Sequence, residues 1–299
     1  MRSYSLLLIA FVSLIFTSCK KESSTVPKVV FKFKFDSTQT RLNAVGQPSP
    51  MTIGHAGQSP RFNKMSAHYV EMTPDQFTML GAGAVLYKAP ETTAGGANAI
   101  DFSKATFAGQ NQAFLSVPIS DIAAGTYNWL RVSLAYQDYN VYVDGSGTTA
   151  GYTVDARVAS FIGFNTYIKS FKLKDSTITV NGNKAQGFWA TEGQLKLGLL
   201  TYGSVQTGQA PAGATTVPNP LFATSPIPAG SCVVTGQFAA PLVITGKETS
   251  DIIIQVSLST NKSFEWIDVN GNGKFEPTLE PTAETVVDMG IRGMIPIKL

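Results

Sequence analysis

The chain has 299 residues, 43% hydrophobic and only 14% charged, against about 25% charged in an average globular protein, which excludes a charge-rich disordered chain and a charged coiled coil. Lys+Arg 23 against Asp+Glu 20 leaves a formal charge of +3 with no dense basic run, so nucleic acid is not an expected partner. Gly 27 and Pro 16 without long helix-favouring stretches predict an all-β chain: an antiparallel β-sandwich, one large or two similar sub-domains, with at most a short helix.

Residues 1–18 carry one early charge, Arg2, an apolar run from Leu6 to Phe16, and the small residues Thr17 and Ser18 ahead of Cys19. At a rise of about 1.5 Å per residue the apolar run is too short to span roughly 30 Å of hydrocarbon. Phe16-Thr17-Ser18-Cys19 resembles the lipobox of a bacterial lipoprotein signal peptide. The resemblance implies cleavage before Cys19, diacylglycerol on its sulfur and a third acyl chain on its amine, hence an outer-membrane lipoprotein whose first partner is the membrane. Three chains hold far more firmly than a single marginal anchor. Residues 19–28 form a polar tether. Its Lys20-Lys21-Glu22 is similar to the surface-export signal of Bacteroidota lipoproteins and implies the cell surface, the periplasmic face being the alternative.

The body is expected to divide into a β-sandwich over 29–165 and a second sandwich or continuation over 166–299. Phe31-Lys32-Phe33-Lys34-Phe35 alternates strictly and predicts a half-buried strand. Thr73-Pro74-Asp75 has the chemistry of a helix start, but Gly81 and Gly83 limit it to two turns. Strand runs at 129–136 and 139–143 follow the turn at 123–125, and Asp144-Gly145 supplies a hairpin. Ile178-Thr179-Val180 runs into Asn181-Gly182, a type I′ turn signal. Residues 203–231, rich in Pro yet carrying Val217, Leu221, Phe222 and Ile227, are expected to pack across a sheet. Cys232, in an apolar setting and with no second cysteine left for a disulfide once Cys19 is acylated, reads as a buried inert thiol. Runs at 242–244 and 252–258 flank Gly246-Lys247-Glu248 and predict a central hairpin. A short likeness between 118–125 and 225–230 hints at two similar halves.

Chemistry concentrates near the C-terminus. After Trp266, the stretch Asp268-Val269-Asn270-Gly271-Asn272-Gly273-Lys274-Phe275-Glu276 sets oxygen side chains at positions 1, 3 and 5, Gly at 6, a carbonyl at 7 and an acid at 9. Calcium takes six to eight oxygens at about 2.3–2.6 Å, and this spacing curls them about one centre. Leu279 stands at position 12, and Pro277 and Pro281 would break an exiting helix, so a helix-loop-helix site is disfavoured. The loop, spanning 268–280, is similar to the calcium loops of serine-aspartate-type B repeats in bacterial surface adhesins. That resemblance implies Asp268, Asn270, Asn272, the Lys274 carbonyl and Glu276 as ligands, with Glu280 or Glu284 closing the shell and calcium in a structural role. The alternative is a metal-free Asn-Gly turn.

The two histidines, His55 and His68, would make a zinc or copper site if the fold gathered them with Glu71, Met65 or Met72. No nucleophile elbow or phosphate-binding glycine loop occurs, and a carboxylate pair for glycoside hydrolysis leaves no local signature. Trp129, Trp189, Tyr202 and Phe222 are candidates for a sugar-stacking platform. Three functions follow: a lipid-anchored binding or adhesion module for a glycan or envelope protein, contacting it through Trp189 and Phe222; a transition-metal lipoprotein; and a surface glycan hydrolase.

Overall fold

Alternation sets the first strand, β1 (Lys28–Asp36), which buries Val29, Phe31 and Phe33 and leaves Lys32 and Lys34 half-buried on its other face. The computed structural model describes residues 26–145, 150–197, 199–210, 232–278, 281 and 283–299. Among them, β1 is followed by β2 (His55–Gln58), β3 (Arg61–Thr73), β4 (Ala84–Lys88), β5 (Glu91–Thr92), β6 (Ala99–Asp101) and β7 (Ala113–Pro118). Next come β8 (Gly125–Asp144), β9 (Thr153–Phe161), β10 (Asn165–Lys172), β11 (Thr177–Ala185), β12 (Phe188–Leu197) and β13 (Leu200–Gln209). The chain ends with β14 (Cys232–Ile244), β15 (Ile252–Ser259), β16 (Phe264–Ile267), β17 (Val286–Met289) and β18 (Met294–Lys298). Two three-residue 3-10 turns, Phe102–Lys104 and Ile119–Asp121, are the only helical segments among the described residues. The chain is therefore all-β and largely antiparallel.

The strands form four sheets: β18-β15-β1-β7, β11-β10-β6-β5, β17-β16-β2, and a large one ordered β13-β12-β9-β8-β3-β4 with β14 also on β8. Two of them, the β1 sheet and the β2 sheet, combine strands from both ends of the chain; β1 pairs in parallel with β15, Val29 opposite Ile252. The twenty-residue β8 organises the molecule. With β3 along one edge, its other edge pairs first with β14 over Gly125–Leu134 and then with β9 over Tyr136–Asp144. Its first half faces the β1 sheet across the main core of Phe31, Phe33, Leu130, Val132, Val234 and Ile254. Its second half, with β9 and β12, is sandwiched between two smaller sheets. Phe161, Phe171 and Phe188 pack toward β10 and β11 on one face, and Val141, Val158 and Trp266 pack toward β16 on the other.

Several local expectations are corrected. The runs at 129–136 and 139–143 are one strand, because Gln137 and Asp138 are buried in the sheet rather than turned outward. Asp138 accepts two bonds from Arg157 at 2.7 Å, and Gln137 Oε1 accepts one from Ile291 N at 3.2 Å. Asn181-Gly182 does not reverse the chain; Asn181, at φ 50°, sits where the β10–β11 register slips, as a bulge within β11. The strands on either side of Gly246 do not pair with each other: β14 joins β8, whereas β15 joins β1 and β18 in the facing sheet. At 73–83 no helix forms. The Gly81 and Gly83 N–H groups donate instead to the buried carboxylate of Glu71, at 3.0 and 2.7 Å, which folds the β3–β4 loop onto the sheet. Cys232 is buried. Residues 211–231, with Phe222 and the 225–230 echo, lie outside the described residues, as do Cys19 and the signal segment.

Candidate functional site

A groove of 670 Å3 opens between the large sheet and the segment Phe275–Met289. Strand alternation builds its floor. Val154, Ala156, Val158 and Ser160 of β9 point into it, flanked by Val141 and Val143 of β8 and by Trp189, Thr191, Gly193 and Leu195 of β12. Trp189 lies opposite Gly208 of β13, and a Cβ at Gly208 would collide with the indole. The absent side chain thus lets the ring lie flat across the neighbouring strand. Phe264, Phe275, Val286 and Met289 make the facing wall. The sequence carried the alternation of β9 and β12 but not the opening, which exists only where four strands and a distant segment meet.

That wall is fixed by the loop singled out as a calcium site. Asp268 accepts from the N–H groups of Gly271 and Gly273, both at 2.9 Å, Asn270 Oδ1 from Asn272 N at 3.1 Å, and Asn272 Oδ1 from Lys274 N at 2.8 Å. Positive φ at Gly271 and Gly273, 72° and 71°, closes the curl. Glu276 receives both side-chain amides, from Asn270 at 2.8 Å and Asn272 at 2.7 Å, bonds that hold its carboxyl below the usual range. Glu284 enters from the far side, accepting Glu276 N at 2.8 Å. Burial, joined by the Asp268 charge, pushes the Glu284 carboxyl up, and its Oε1 is buried without a donor. An orphaned carboxylate oxygen beside a second carboxylate fits a cation better than a plain turn. The loop thus gathers Asp268, Asn270, Asn272, Glu276 and Glu284; Glu280 lies outside the described residues. Among the described residues no group of three or more His, Cys, Asp or Glu is arranged to hold a metal, so amide and carbonyl oxygens would have to complete the shell.

The histidines are not brought together. His55, on β2, contacts Glu265 Oε1 through Nδ1 at 2.6 Å, whereas His68, on β3, contacts Glu91 Oε1 through Nε2 at 2.8 Å. Burial lowers the His68 pKa despite its carboxylate partner. In the strand, His68 and Glu71 serve different partners, Glu71 binding the 81–83 loop beside Arg131. Of the aromatic candidates, Trp129 and Trp189 are not brought together, and Phe222 lies outside the described residues. Trp189 is level with Ser160 and so with Gln137 of β8, eight residues or about 26 Å from Trp129 along the strand.

Beside the groove lies a buried charge cluster that sequence reading missed. Glu265 and Asp288 face each other across β16 and β17. Arg41 bonds Glu265 and lies 4.0 Å from Asp288, and Arg292 Nε lies 2.9 Å from Asp288. Its members come from residues 41, 55, 265, 288 and 292, so no local spacing marks it. Burial raises the Asp288 carboxyl to about 7, against the opposing pull of Arg292 and Arg41. The folded protein therefore holds a proton here that the unfolded chain releases near pH 4, and stability is expected to fall between about pH 4 and 7. The decline is up to about 1.4 kcal/mol per pH unit, and Asp288→Asn should flatten it. Urea titrations across that range check this; an unchanged slope in the variant would assign it elsewhere.

Compared with known proteins, the chain matches no family model, no curated protein and no solved structure.

Proposed function

We propose that the chain is a lipid-anchored binding protein of the cell envelope, held at the outer membrane through Cys19 and facing the cell surface, with a structural calcium loop. The observation that supports this reading is the continuity of loop and groove. The Asp268–Glu276 curl leads directly into Phe275, Pro277 and Thr278 of the groove wall, and Glu284 ties the returning chain back to the curl before Val286 and Met289 complete that wall. Asp144 N also donates to Phe275 O at 2.8 Å, so the wall joins the floor at one end. A cation held by Asp268 and Glu284 would keep the groove's shape without taking part in any reaction. Asn in place of Asp at two ligand positions lowers the negative charge of the site and suits the high calcium of an extracellular setting.

Elemental analysis of residues 26–299 purified without chelator, beside Asp268→Ala, tests the calcium reading. Calcium at about one ion per chain is expected in the parent and absent in the variant. At ten times its Kd, calcium should raise the parent's unfolding free energy by about 1.4 kcal/mol. Zinc or copper in its place, or no metal, would remove calcium from the reading. Acyl labelling lost in Cys19→Ser of the full chain tests the anchor.

A further inference from the structure

We infer that the groove binds an uncharged, elongated apolar molecule, of the class of long-chain alcohols and their esters, rather than a glycan or an anionic fatty acid; this deepens the proposed binding function and rests on it. Its volume, 670 Å3, falls in the range that encloses one small-molecule ligand. Its shape follows the strands. From Val154 to Ile162 the floor runs eight residues along β9 and its extension, about 26 Å at 3.3 Å per residue. An extended hydrocarbon chain matches such a trough, whereas a compact ring system would leave most of it unfilled.

The lining chooses the chemistry. Val154, Ala156, Val158 and Ile162 beneath, with Phe264 and Met289 above, offer no hydrogen bonds to the hydroxyls of a sugar. Burying those hydroxyls unpaired would cost more than stacking on one indole returns. Polar side chains lie at both ends: Gln186 and Gln209 border Trp189 at one, and Asp144, Thr278 and Glu284 line the other. Gln209 Nε2 donates to Gln186 O at 2.7 Å and Gln186 Nε2 to Ile162 O at 2.8 Å, which fixes both amides at the mouth. They suit a hydroxyl or ester head while the chain lies inward.

Charge decides between neutral and anionic heads. Among the described lining residues there is no Lys or Arg, while Asp144, Glu284 and Asp288 are all acidic. A carboxylate head beside Gln186 and Gln209 would enter an apolar site with no cationic side chain in its described lining to pair with, so the carboxylate form of the same chain should be rejected.

The experiment follows Trp fluorescence of residues 26–299, loaded with calcium, during titration with 1-dodecanol, dodecanoate and maltohexaose. Saturable dodecanol binding is expected, about tenfold or more tighter than dodecanoate, with maltohexaose silent. Thr191→Phe, which puts a ring into the groove beside Trp189, should weaken dodecanol at least tenfold. Val205→Lys, on the exposed opposite face of β13, should leave it unchanged, and far-UV circular dichroism and Tm confirm that both variants fold. Dodecanoate binding as tightly as dodecanol, or dodecanol binding indifferent to Thr191→Phe, would overturn the inference. Maltohexaose binding in place of dodecanol would overturn it while keeping the groove as a binding site, and no binding of any probe would sink both.

Discussion

Arg41→Ala is expected to lower the unfolding free energy by about 3–5 kcal/mol at pH 8, because removing one partner strands buried charge. Arg41, Glu265 and Asp288 are 8%, 3% and 4% exposed, so water cannot replace the lost guanidinium. Arg292, whose side chain is 31% exposed, reaches Glu265 only at 3.8 Å and takes up little of the deficit. The loss should shrink at pH 5. Arg41 is one of the groups that pull the Asp288 carboxyl down from where burial puts it; without it that carboxyl titrates higher still and is neutral at pH 5, which leaves only Glu265, still in contact with His55, to be stranded. Urea unfolding of both proteins at the two pH values measures this. A loss under about 1 kcal/mol at pH 8, or one of equal size at pH 5, would mean that the cluster is not held together by charge.

Trp266→Ala should cost a comparable 3–5 kcal/mol, the range for removing a large aromatic from a packed core. Trp266 is 1% exposed. Its ring lies 5.5 Å from Phe275 and 6.1 Å from Phe264, whose own rings meet edge to face at 5.2 Å. The cluster sits on Tyr139, Val141, Ala156 and Val158 of the large sheet. It is therefore the main apolar joint between that sheet and the β2-β16-β17 sheet. Because Trp266 Nε1 is buried without a hydrogen-bond partner, Trp266→Phe forfeits volume but no polar contact and should retain most of the stability. Thermal unfolding of both variants measures the difference. If phenylalanine proved as damaging as alanine, the indole N–H would matter in a way packing does not explain.

The periodicity of Phe31 to Phe35 was enough to place β1, its buried face and the all-β class, because alternation is a local property. Partner choice is not local. Gly246-Lys247-Glu248 looks like a hairpin turn, yet it carries the chain across to the facing sheet, a decision made by the apolar face of Ile252, Ile254, Val256 and Leu258 seeking β1. Gln137 and Asp138 read as a break in β8 because their partners, Ile291 and Arg157, are supplied by the β17–β18 connection and by β9. The loop 268–276 could be picked out because its Asp, Asn and Gly residues are contiguous, but the Asx hydrogen bonds that curl it appear only in the structure. The contact of Arg41 with Glu265 and the groove, by contrast, depend on residues 100 or more positions apart meeting in space, which a linear pattern does not record.

The parallel pairing of β1 with β15 also bears on when the molecule can fold. Val29 must wait for Ile252, more than 220 positions later, before the strand at the heart of its sheet has both neighbours. Contacts this distant in sequence make for slow folding, and they deny the emerging chain a stable N-terminal unit while synthesis is under way. A protein wired in this order remains an open thread until almost all of it has been made. That is the form in which a chain with the proposed leader would be threaded across a membrane, with native structure assembling only on the far side.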